Sequence, residues 1–137
     1  MRRGGIHAGL VAAVLSGAPS TVHALVTRQD PLAATRAAGA LLLPDETRTA
    51  PLLAAAVPVH LGISVGWGLV LARLLPARAT VFWGAVAGAG IAAVDLRLPG
   101  RRTAAVRALS VWPQVADHVA FGAVVGLYLR RRALRLP

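Results

Sequence analysis

Four long apolar stretches, residues 6–26, 52–75, 79–96 and 111–129, occupy most of this 137-residue chain. A helix rises about 1.5 Å per residue and the hydrocarbon core of a bilayer is about 30 Å thick, so ~20 apolar residues cross it. Each stretch is close to that length. A water-soluble domain of this size could not bury four such segments without polar faces between them. The pattern predicts an all-α fold, a four-helix transmembrane bundle forming one integral membrane domain over residues 1–137, with no room for a separate globular domain.

Hydrophobic residues make up 56% of the chain, above the soluble norm of about 45–50%. The basic side chains are all arginine, with no lysine, and the formal charge is +10. The arginines fall in small groups at the ends of the apolar stretches, without interleaved aromatics. That distribution favours anionic lipid headgroups as partners over nucleic acid. The absence of cysteine excludes a disulfide framework and a thiolate metal site.

Arg2 and Arg3 precede the first stretch, and Val22-His23-Ala24 resembles a signal-peptidase site, so cleavage of span one is one reading. Its full spanning length and the helical phase of its polar residues favour a retained helix. The first connection, residues 27–51, holds Asp30-Pro31, a helix start, and predicts a short helix over 32–43, lying at the interface or folded back on the bundle and ended by Pro44. Asp45 and Glu46 then favour the dipole of the second long helix. Residues 76–78 form a tight turn that makes spans two and three antiparallel neighbours. The arginines divide almost evenly between the two sides, which leaves only a slight preference for termini inside a bacterial plasma membrane.

Each span carries a G-x-x-x-G pair: Gly5/Gly9, Gly62/Gly66, Gly84/Gly88 and Gly122/Gly126. Such pairs let backbones approach closely, and ordinary bundle packing accounts for them without a dedicated dimer motif. A homo-oligomer or a partner membrane protein stays open.

Ionisable side chains inside spans are the chemical signal, because a central Asp costs about 2.5–3.5 kcal/mol on insertion scales. The candidate polar pocket is His23, His60, Asp95, Gln114, Asp117 and His118, with Ser16, Ser20 and Ser64 nearby. With alternating helix directions, all lie towards the side of the first and third connections. Gly9, Ser16, Ser20 and His23 share a helical face, as do Gly84, Gly88 and Asp95, and Gln114, His118 and Gly122. Span two dissents, since Gly62 and Gly66 point away from His60 and Ser64. Trp67 lies below His60 and could floor a cavity. Asp117 and His118, being adjacent, should point to different places. Pro19, Pro58 and Pro113 sit near the histidines and free carbonyls that need donors. The plainer alternative is that these residues form interhelical bonds that fix the bundle, at about 0.6 kcal/mol each, with Asp95 paired to Arg97 or Arg101.

No H-x-x-x-H or H-E-x-x-H spacing supports a metal site, no nucleophile elbow supports a Ser–His hydrolase, and no P-loop occurs. Neither a catalytic residue nor a cofactor is expected. Residues 16–25 (SGAPSTVHAL) and 30–39 (DPLAATRAAG), with Pro58-Val59-His60 and Pro113 to His118, resemble a group of uncharacterised small integral membrane proteins of actinobacteria. The resemblance implies a helical membrane protein and brings no activity. Two functions are therefore expected. The first is a non-catalytic structural or interaction component. The second is a small conduit or binding protein for a proton, ion or polar solute.

Overall fold

The computed structural model describes residues 2–97 and 103–135, and these are helical throughout, with no strand among them. The helices are α1 (Arg2–Leu15), α2 (Ala18–Val26), α3 (Ala33–Gly39), α4 (Thr49–Leu74), α5 (Thr80–Arg97), α6 (Ala104–Arg107) and α7 (Val111–Ala133). Part of the third connection, with Pro99, Gly100 and Arg101, lies outside the described residues.

Among the described residues, three segments are long and apolar enough to cross a membrane: Arg3–Val26, Thr49–Leu74 and Thr80–Arg97. The all-α expectation therefore holds, and the architecture is compatible with a multi-pass membrane protein. The fourth helix, α7, extends about 34 Å, but Gln114, Asp117 and His118 dilute its apolar character.

Alanines line much of the interior: Ala8, Ala12, Ala56 and Ala92 are buried, beside a core cluster that also holds Leu71, Ile91, Phe121 and Val125. Val14, Val26, Leu74, Phe82 and Trp112 are exposed. Small residues at the contacts let backbones approach closely, and large apolar side chains on the outside are compatible with a lipid surround.

Glycine writes the packing order. Gly5 and Gly9 of α1 lie against the backbone of α4 at Gly68 and Ser64, and a Cβ on Gly5 would come within 2.9 Å of the Gly68 carbonyl oxygen. Gly84 and Gly88 of α5 lie against Gly122 and His118 of α7, while Gly126 lies against Thr80. Both pairs are antiparallel. α1 also packs antiparallel on α7, with Gly4 beside Leu129 and Arg132. The long helices therefore stand in the order α4, α1, α7, α5.

That order corrects the expectation that spans two and three are packed neighbours. The turn between α4 and α5 is short, yet the two helices diverge from it, because α4 closes on α1 and α5 closes on α7. The G-x-x-x-G reading also needs correction in span two. Gly62 and Gly66 face open space, and the contact glycine of α4 is Gly68.

The first span is not one continuous helix. Its ladder stops where Ser16 N donates to the Ala12 carbonyl (2.9 Å) and restarts where Thr21 N donates to the Gly17 carbonyl (3.2 Å). Gly17 is the N-cap of α2, and Pro19, which has no N–H to give, lies in its first turn. α2 ends in a paired C-terminal turn, Gln29 N to the Ala24 carbonyl and Arg28 N to the Leu25 carbonyl, which places Arg28 at φ 56°.

The short helix expected at 32–43 is present as α3, trimmed to seven residues and folded back on α4. Gly39 abuts the Leu52 carbonyl there, so the approach is closed to any side chain. Asp30 accepts the Leu32 amide (2.8 Å) and pairs with Arg36.

Glu46 does not simply face the α4 dipole. Its carboxylate accepts from the Thr47 and Arg48 amides (both 2.9 Å) and from the Arg48 guanidinium (2.8 Å). The Arg48 side chain first, then the Arg48 amide, hold its pKa down at about 2, from an ordinary 4.5. A depressed carboxylate stabilises the folded loop above pH 4.5, and that contribution is lost as pH falls through about 2. The protection of the Thr47 and Arg48 amides, relative to intrinsic exchange at each pH, is therefore expected to fall on acidification across this window. Glu46→Gln should remove most of that acid dependence; an unchanged profile would show that the carboxylate does not hold the loop.

Candidate functional site

α4 and α5 diverge towards the end of the bundle that bears the first and third connections, and a cavity of about 440 Å³ occupies the space between them. α1, α2 and α7 back it, and α3 and α6 contribute to its wall. Five of the six expected pocket residues line it: His60, Asp95, Gln114, Asp117 and His118. Ser16, Ser20, Ser64 and Trp67 line it as well, so the expectation for Trp67 holds.

His23 is the exception. One turn further along α2, it borders a separate small recess with Asp30, Pro113 and Gln114. Ser20, beyond the same break, reaches the cavity and also borders this recess, so His23 shares its face but lies one turn too far along α2.

The break itself is held by side chains from elsewhere. Interrupting a helix strands carbonyls on one side and amides on the other. His60 of α4 donates from Nε2 to the Ala13 carbonyl (2.9 Å). Asp117 of α7 accepts the Ser20 amide at Oδ1 (2.9 Å), the bond that an N-cap side chain would normally make. The cap for α2 thus comes from a residue 97 positions away. Ser20 Oγ turns back to the Gly17 carbonyl (3.3 Å), so it forms no pair with His23.

His118 makes a second set of contacts. Its Nδ1 donates to the Gln114 carbonyl (2.7 Å), and its Nε2 lies 3.5 Å from Asp95 Oδ2. Trp67 Nε1 donates to the same carboxylate oxygen at 3.2 Å. A carbonyl only accepts, so Nδ1 must carry a hydrogen. A neutral imidazole then has a bare nitrogen facing Asp95. The contact is attractive only when one more proton is present, on Nε2 or on the carboxyl. An ion pair across this 3.5 Å gap at the cavity wall thus requires a protonated His118.

Asp95 is engaged with His118 and Trp67 rather than with Arg97; Arg101 is outside the described residues. Asp117 and His118 do point to different places, one towards α2 and the other towards α5, and the cavity is wide enough for both to line it. The Trp67 indole was missed as a polar partner. Its phase relative to His60 was legible, but a bond to a residue 28 positions away was not.

Among the described residues, no group of three His, Asp or Glu side chains is placed to hold a metal ion. No family model, curated protein or solved structure matches the chain.

Proposed function

We propose that this chain is a small four-span membrane protein, without enzymatic activity, that admits a polar solute to a cavity in one leaflet and exchanges a proton there. α7 is the fourth span in this reading. It is the central helix, packed on α1, α2 and α5, and its polar residues face those neighbours rather than lipid. Trp83 near the start of α5 and Trp112 (81% exposed) at the start of α7 sit towards opposite ends of the bundle, as interfacial aromatics do. Arg130, Arg131 and Arg132 close α7, where they can meet anionic headgroups. Membership of the actinobacterial group that the sequence resembles fits this reading.

The observation that carries the function is the close Asp95–His118 pair on the wall of a cavity beside an interrupted helix. Interrupted helices in membranes offer backbone groups and side chains to a solute at the break. The titratable groups facing that space are His60 from α4, Asp95 from α5, and Asp117 and His118 from α7. A purely structural or interaction role would use the same bonds to staple the bundle, but it requires no open volume between α4 and α5.

Liposomes loaded with a pH-sensitive dye separate the two roles. Under a potassium–valinomycin clamp, vesicles containing the protein should dissipate an imposed pH gradient several-fold faster than protein-free vesicles. His118→Leu should return the rate to the protein-free value while the protein still melts cooperatively in detergent. A wild-type rate equal to that of empty vesicles, or a variant that loses thermal stability alone, would leave these residues a purely structural role.

A further inference from the structure

The chemistry of the cavity wall is the reverse of the chemistry of the chain. The sequence carries 15 basic residues and 5 acidic ones. Among the described residues lining the cavity, none is arginine, while Asp95 and Asp117 both take part. The rest of the wall is largely apolar and includes two aromatic side chains, Trp67 and Phe121.

Resting on the cavity reading above, we infer that the solute is a monovalent organic cation, an ammonium group carried on an apolar body about the size of a substituted benzene ring. Asp95 already faces His118 at 3.5 Å, so Asp117 is the carboxylate left for a cation, and one carboxylate matches one ligand charge. Aromatic faces attract ammonium groups, and the apolar wall accommodates the attached carbon skeleton. An anion would meet two carboxylates with no arginine among the described lining residues to receive it. A bare metal ion would have to exchange its hydration shell for a mostly apolar wall, with no cluster of three ligands among the described residues. The volume of about 440 Å³ falls within the small-molecule range of roughly 300–1,000 Å³.

The chain has no cysteine, so one introduced thiol reports alone. Ala38→Cys on α3 places it on the cavity wall. The purified protein in detergent is treated with two methanethiosulfonates of similar size, one bearing trimethylammonium and one bearing sulfonate. Rates are normalised to those with a free thiol in solution. The cationic reagent should react at least tenfold faster, and benzyltrimethylammonium should slow it. Asp117→Asn in the same background should bring the ratio towards unity. A surface thiol at Leu134→Cys, beside the terminal arginines, should prefer the anionic reagent, because the protein as a whole is strongly positive. Equal normalised rates at Ala38→Cys, or a faster anionic reagent, overturn the cation inference and leave the cavity standing. No labelling by either reagent overturns both. If Ala38→Cys fails to fold, Ile63→Cys reports from the part of the wall that α4 supplies.

Discussion

Gly122→Ala is expected to destabilise the protein by about 3 kcal/mol, the upper end of the usual range for overpacking. The reason is that backbone meets backbone. A methyl group on Gly122 would overlap the Gly84 carbonyl oxygen and approach its carbon to 2.8 Å and the Gly88 nitrogen to 2.9 Å. No flexible side chain is present to yield, so α5 and α7 must separate, and every contact along their seam weakens. Gly62→Ala is the matched control: the same methyl group would enter open space. That change should be neutral to stabilising, by roughly 0.5–1 kcal/mol, since alanine loses less chain entropy than glycine in a helix. Thermal unfolding of both variants in one detergent checks the contrast. Equal shifts would mean that the close approach of α5 and α7 does not hold the fold.

The second large effect is expected at Asp117, where the order of substitutions carries the information. Asp117→Leu removes the only acceptor the structure gives to the Ser20 amide, and an unsatisfied buried amide costs about 1–3 kcal/mol. Asp117→Asn keeps a carbonyl oxygen in the same place and should lose less. Stability should therefore fall in the order wild type, Asn, Leu. Hydrogen exchange at the Ser20 amide should rise most steeply in the leucine variant. If Asn and Leu are equally destabilised, the carboxylate acts through its charge at the start of α2 and not as an acceptor for that one amide. The preference for cationic reagents should be lost in both variants, which separates the role of Asp117 in stability from its role in selecting the solute.

Much of this structure was legible in residue spacing, because helix length and polar phase are local properties. Of the stripe Gln114, His118 and Gly122, the last two do face α5, and Gly84, Gly88 and Asp95 do face α7. What spacing could not provide was the order of the helices. A three-residue connection argues for adjacency, but the glycine seams argue for partners more strongly, and the seam of α4 runs through Gly68 rather than through the more conspicuous Gly62 and Gly66. Pro19 signalled that hydrogen bonds would be lost in the first span. It did not signal that Asp117 and His60 would replace them, because that depends on which helices stand beside the break. His23 shares the Ser20 face but lies one turn beyond the cavity, a depth that spacing alone could not set.

The two glycine seams have a mechanical consequence. α1 with α4, and α5 with α7, are each locked at backbone distance and move as stiff plates. The plates meet along α1 and α7, on the side away from the gap. A change in the width of the gap is then a rotation of one plate about that meeting line, a clamshell motion that leaves both seams intact. The Trp67–Asp95 bond spans the free edges, so it is the clasp that such an opening must release.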